Sequence, residues 1–247
     1  MQKMIRIMSA AATSCIAGLI GVIGVIGVVP SAHADTTVGS TEELVRSQPA
    51  MQYVFSERAM LVMYQLGVEE DKRFNLQTDC KSKYQVRPLG AVVLKPMTIP
   101  DGGGNPKSGA WLTRYQLERC GDAKIYNAVF VADAEGGNPK PTPFYPGNTR
   151  GGPVLVQDAM MVAVSTAIAK SGQSGCRKVE AFDMRAKQPP HDVVEGGTTF
   201  RGVWKETWTF RVCGKMVDVD MIFTPDAVGG GTSFRTESVK TTQGMAQ

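Results

Sequence analysis

Trp204-Lys-Glu206-Thr-Trp208-Thr-Phe210-Arg-Val212-Cys213-Gly214 is the stretch on which the reading of this chain turns. Its even-numbered residues are mainly apolar and its odd-numbered ones polar, the period of a strand with one buried face. Val217, Val219, Met221 and Phe223 resume the alternation after Cys213-Gly214.

Displaced by 93 residues, the same pattern recurs. Gly109-Ala-Trp111 falls on Gly202-Val-Trp204, and Cys120-Gly121 on Cys213-Gly214. Phe130 falls on Phe223, and Asp133-Ala-Glu-Gly-Gly137 on Asp226-Ala-Val-Gly-Gly230. Nine of the 29 positions from 109 to 137 are identical, where unrelated segments would share about two. Tyr115 matches Trp208 and Leu117 matches Phe210 as aromatic or apolar equivalents. The pattern predicts an internal duplication.

Each unit opens on a helix. Met51, Phe55, Ala59, Val62 and Leu66 recur at i+3/i+4 spacing between Pro49 and Gly67. Leu155, Ala159, Val162 and Thr166 do the same between Pro153 and Gly172. The fold class read from these elements is α+β: two homologous repeats, each a helix packed on a disulfide-closed antiparallel β-meander.

Hairpin geometry selects the disulfides. The midpoint between Cys80 and Cys120 falls on the turn sequence Ile99-Pro-Asp-Gly-Gly-Gly-Asn-Pro106. That between Cys176 and Cys213 falls inside Pro189-Pro-His-Asp-Val-Val-Glu-Gly-Gly197. Cys80–Cys120 and Cys176–Cys213 are therefore expected, each closing the open end of a hairpin.

At the N-terminus, Lys3 and Arg6 precede an apolar run from Ile7 to Val29, then Pro30 and Ala32-His33-Ala34. This is the pattern of a secretory signal cleaved before Asp35. The chain is thus parsed as a signal segment 1–34, a first repeat 35–135, a Pro/Gly-rich linker 136–153, a second repeat 154–235 and a tail 236–247. Without residues 1–34 the balance is 25 basic to 23 acidic, a formal charge of +2. With no Lys/Arg block, nucleic acid is not an expected partner. Periplasmic or secreted placement is expected, with membrane contact only through the signal segment if it stays uncleaved.

Cleavage leaves four cysteines and one histidine, His191. Cysteine spacings of 40, 56 and 37 residues, without Cys-x-x-Cys, favour disulfides over zinc. His191 reads as a loop residue, and no Gly-x-Ser-x-Gly motif accompanies it. Met60/Met63 and Met160/Met161 on the matched helices read as core filling, with a copper(I) thioether site as the minor alternative. The Asp-Ala-x-Gly-Gly segments read as tight turns, because they lack the alternating oxygens of a calcium loop.

Two constellations remain. Trp111 and Tyr115 in one repeat, with Trp204, Glu206 and Trp208 in the other, form aromatic strand faces. Exposed, such faces stack on sugars or anchor a protein; buried, they cover the helix of their own repeat. Glu206 with Asp218 or Asp220 offers the carboxylate pair of a glycosidase. The leading expectation is an exported, non-enzymatic binding protein of a bacterial-type cell envelope. It would serve as an accessory component of an envelope or secretion assembly, with a protein or glycan partner and no cofactor or metal. A carboxylate-based hydrolase acting on envelope polysaccharide is the alternative, followed by a methionine-based metal carrier.

Overall fold

The computed structural model describes residues 35–76, 79–101, 103–227 and 230–237. The expected signal segment and most of the tail lie outside them. In chain order the elements are β1 (Thr36–Val38), α1 (Thr41–Arg46), α2 (Gln48–Val54), α3 (Glu57–Arg73), β2 (Gln85–Ile99), β3 (Ser108–Arg119), β4 (Asp122–Val131) and β5 (Lys140–Phe144). There follow α4 (Pro153–Ser171), β6 (Val179–Glu195), β7 (Thr198–Val212), β8 (Lys215–Pro225) and β9 (Thr232–Thr236). The strands make two antiparallel meanders, β1-β2-β3-β4-β5 and β6-β7-β8-β9, so the fold is mixed α+β.

The decisive stretch is β7, and its alternation is its burial pattern. Trp204, Glu206, Trp208, Phe210 and Val212 are buried in the core under α4, which contributes Val156, Ala159, Ala163 and Ala167. In the first half, Trp111, Tyr115 and Leu117 face Met63 and the other core residues of α3. Trp111 and Trp204 each stack on the phenylalanine opposite on the next strand, Trp111 on Phe130 at 5.5 Å and Trp204 on Phe223 at 4.9 Å.

Both disulfides form as the hairpin argument requires, Cys80–Cys120 with Cα atoms 6.0 Å apart and Cys176–Cys213 at 5.9 Å. They are the mark of an oxidising, extracellular-type environment. In the loop-entropy account each removes freedom from the unfolded chain over a closure of 40 or 37 residues. Replacing either pair with alanine should lower stability by about 3 kcal/mol, measured by urea unfolding against the oxidised parent.

Four details depart from the sequence-based expectation. The first helical segment breaks at Phe55-Ser56, where the Ser56 hydroxyl accepts from the Ala59 N–H and starts α3 afresh. Gly67 does not end this helix, which runs to Arg73. A Cβ on Gly67 would lie 3.0 Å from Leu117 Cδ2, so the glycine serves close helix–sheet approach. The stretch 189–195, expected as a loop, continues β6, and the turn is confined to Gly196-Gly197, both at positive φ. Pro189 and Pro190 are tolerated because β6 is an edge strand with register shifts around them. Finally, the stretch 136–153 is no free linker, since Lys140–Phe144 pairs with β4 as β5.

The segment after β5 is stitched from both sides. The Gly147 N–H donates to the Ile125 carbonyl on β4, and the Asn148 N–H donates to the Met184 carbonyl on β6. Asn127 Nδ2 donates to the carbonyls of Tyr145 and Gly147. Elsewhere Phe74 meets Phe182 edge-on at 5.2 Å. Arg211 on β7 bonds Glu180 and donates to the Phe74 and Arg73 carbonyls, satisfying the exposed end of α3.

Candidate functional site

The residues singled out in the sequence do not assemble into one site. Trp111, Tyr115, Trp204 and Trp208 are buried against their helices, so their ring faces offer no surface stripe. Glu206 is completely buried between two of them. The Trp204 and Trp208 indole N–H groups donate to its two carboxylate oxygens at 3.0 and 2.8 Å, and the Arg150 N–H donates to Oε1 at 2.8 Å. It thereby anchors the segment that leads into α4.

Asp218 and Asp220 point the other way. Across β7 and β8, Glu206 stands opposite Met221, whereas Thr207 and Thr209 stand opposite Asp220 and Asp218. By the period of two, Glu206 is on the inner face and both aspartates are on the outer one. No sugar can be flanked by carboxylates on opposite sides of a sheet, so this pairing fails on geometry.

On the outer face the aspartates belong to a charge ladder. Arg185 pairs with Asp218 at 3.0 Å, Lys187 with Asp220 at 2.6 Å and Glu237 at 3.1 Å, and Lys205 with Glu237 at 2.7 Å. The Thr207 and Thr209 hydroxyls donate to Asp220 and Asp218. Burial pushes the Asp220 carboxyl up, but the bonds from Lys187 and Thr207 and the lysine charges outweigh it and hold the pKa below the usual range. Hydrogen bonds from Lys205 and Lys187, with their charge, hold Glu237 low as well, against a smaller effect of burial.

A depressed folded-state pKa means a stabilising contribution complete above the ordinary carboxylate range and lost as pH falls through the folded values. Stability should therefore decline as pH falls through and below the ordinary carboxylate range of about 4, and an Asp220→Asn, Glu237→Gln double variant should show a shallower decline in chemical-denaturation midpoints there.

The remaining candidates are dispersed. His191 lies within β6, its Nδ1 3.0 Å from the Pro189 carbonyl. Met63 and Met160 are core residues, whereas Met161 is exposed. Among the described residues no group of three or more His, Cys, Asp or Glu is placed to hold a metal ion. The Asp133 carboxylate accepts from the Glu135 N–H in the tight turn read there.

A concave feature that sequence patterning did not locate is a groove of about 780 Å³. One wall is Leu89–Val92 of β2, and the other is Ala186–Pro189 of β6. Its floor carries Leu112, Arg114 and Asn127 from the first sheet's outer face and the 148–153 segment at the entry to α4. Arg114, Arg150 and Lys187 line it and, among the described residues, no carboxylate does, although the Lys187 ammonium is already paired with Asp220 and Glu237 outside the groove.

Arg114 is fixed by Asn127 Oδ1 at 2.9 Å, Asn148 Oδ1 at 2.5 Å and the Thr149 carbonyl at 3.0 Å. Burial lowers its pKa from the ordinary arginine value, and the charge of Glu206 behind the floor partly offsets this, leaving a cation. The Arg150 side chain is exposed and, among the described residues, has no ion-pair or hydrogen-bond partner. The groove suits reversible binding of an anionic group. It brings no nucleophile–base pair together.

The only signal that could have marked the groove in sequence was the Pro/Gly-rich run ending at Pro153, which supplies its floor. Comparison of the chain with protein-family models, with curated proteins and with solved structures finds no match.

Proposed function

We propose that this chain is an exported, non-catalytic binding protein, an accessory component of a bacterial-type cell envelope that holds an anionic partner group in the groove between β2 and β6. The observation that carries the reading is the lining: the cations Arg114 and Arg150 with no carboxylate among the described lining residues, and a volume of about 780 Å³, within the range of small-ligand clefts. The partner is an acidic protein segment or a carboxylated glycan. With the tryptophan faces turned inward, recognition rests on charge and hydrogen bonding rather than ring stacking.

Export is supported by the signal-like N-terminal sequence together with the disulfides. Origin of the two halves by duplication is supported by matched backbone detail at the 93-residue displacement. Cys120 and Cys213 have φ of 48° and 45°, and Gly109 and Gly202 are both at positive φ.

The test is fluorescence titration of the disulfide-intact chain with a labelled oligoglutamate and, separately, an oligogalacturonate. At least one should bind with an affinity that falls steeply with salt, and Arg150→Glu should weaken it about tenfold while leaving the unfolding midpoint unchanged. Binding of neither probe at millimolar concentration, or binding indifferent to Arg150→Glu, refutes the proposal.

A further inference from the structure

The groove between β2 and β6 has a second character besides charge. Its floor is the outer face of the first sheet, where residues two apart on one strand share a side with those opposite them on its neighbours. Arg114 stands opposite Gly90 on β2 and Asn127 on β4, and in the next row Leu112 stands opposite Val92. A cationic row thus lies beside an aliphatic one, about 6.6 Å away along β3. Leu112 is buried, whereas Val92 and the nearby Leu89 are 40% and 41% exposed at the rim.

The cationic row is open to a ligand. Asn127, Asn148 and Thr149 take three of the five guanidinium N–H groups of Arg114, which leaves one on each Nη. Gly90 has no side chain to cover them, and a Cβ there would meet nothing within 4 Å.

A backbone edge opens into the same groove. The Phe182 and Met184 carbonyls on β6 face away from β7, accepting from Lys124 Nζ and from the Asn148 N–H. By the period of two, the N–H and carbonyl of Ala186 face the same way, and Ala186 lines the groove on the edge strand of its sheet. The Asn148–Met184 bond is one rung of a pairing that the chain carries no further, since the Arg150 N–H turns to Glu206.

We infer that the partner is a protein segment in extended conformation with an aliphatic side chain two residues from a carboxylate. The carboxylate sits on Arg114, and the aliphatic group sits on Val92 and Leu112. This rests on the anionic reading above and narrows it. In an extended chain, side chains two residues apart point the same way at the spacing of the two rows. The main chain of such a segment pairs with the open edge at Ala186, as in strand addition. In a polyuronate each carboxylate is flanked by hydroxyls, which would desolvate against the aliphatic row without hydrogen-bond partners.

Fluorescence anisotropy of the disulfide-intact chain with three labelled peptides tests this. Their cores are Glu-Ser-Leu-Ser-Glu, Glu-Leu-Ser-Ser-Glu and Glu-Ser-Ser-Ser-Glu. In an extended chain the first sets Leu on the side of both carboxylates, whichever way the peptide runs, and the second turns it to the opposite side. The first should bind about tenfold tighter than the other two. Val92→Thr, at an exposed position and with native circular dichroism, should cut that ratio to about twofold. Equal binding of the three peptides, or a ratio indifferent to Val92→Thr, overturns the inference while anion binding stands. Binding of an oligogalacturonate with none of the peptides overturns the assignment to a protein segment. Replacing both Glu of the first peptide by Gln should abolish binding, and undiminished binding would overturn the anionic reading itself.

Discussion

Glu206→Ala should destabilise the protein by about 5 kcal/mol, a loss comparable to the whole stability of many single domains. The carboxylate accepts three hydrogen bonds, from the Trp204 and Trp208 indoles and from the Arg150 N–H, inside a fully buried setting. Alanine leaves two buried indole donors and the part-buried Arg150 N–H without their acceptor, and each buried donor costs roughly 1–3 kcal/mol. It also removes the negative charge that faces Arg114.

Glu206→Gln separates these contributions. Its amide oxygen still serves Trp204 and Arg150, but its NH2 group meets the Trp208 N–H donor to donor. Roughly half the loss, about 3 kcal/mol, is expected. Urea denaturation followed by tryptophan emission reads both variants. If Glu206→Ala cost less than about 1 kcal/mol, the structural role assigned to this carboxylate would be wrong.

Gly147→Ala should cost about as much, for a different reason. Gly147 has φ of +102°, and a Cβ placed there would lie 2.2 Å from the Met184 nitrogen and 2.3 Å from its oxygen. Those atoms are backbone within β6, so no side-chain rotation relieves the contact. Accommodation requires the 145–150 segment to move away from β4 and β6, breaking the Gly147–Ile125 and Asn148–Met184 bonds together. A loss of about 5 kcal/mol, or failure to fold, is expected.

Gly136→Ala is the control. It has positive φ, +77°, with nothing within 4 Å of the added Cβ, so only the conformational cost of about 1 kcal/mol applies. Equal losses at the two sites would mean that conformation, and not the contact with Met184, governs Gly147. Thermal unfolding of both variants makes the comparison.

Much of the fold was legible because it follows from local periodicity. The alternation in 204–212 gave β7, and the Pro153 to Gly172 interval gave α4, closed by Gly172 at φ +73°. Both disulfides followed from placing turns midway between cysteines. What periodicity misread lay where a distant element decides the outcome. Gly67 resembles a helix stop, but its lack of a side chain is used by Leu117 across the helix–sheet contact. Pro189-Pro190 resembles a turn, but an edge strand tolerates it. Lys140–Phe144, rich in proline, became a strand because β4 presented an open edge.

The candidate site shows the same division. That Trp204, Glu206 and Trp208 share one face, and Asp218 and Asp220 another, follows from a period of two in the sequence alone. Which face is inner depends on where α4 packs, and that turned an apparent recognition stripe into core. The groove was harder to read. Arg114, Arg150 and Lys187 are remote in sequence and share no motif, and they line one surface only because the segment after β5 is wedged between two sheets. The sequence by itself determined the helices, the hairpins, their disulfide closures and the alternation of faces, because each is set by contacts between residues near in the chain or paired across one turn. Tertiary structure alone decided what is buried, what is exposed and which charges converge, because those depend on packing between segments whose separation no local period encodes.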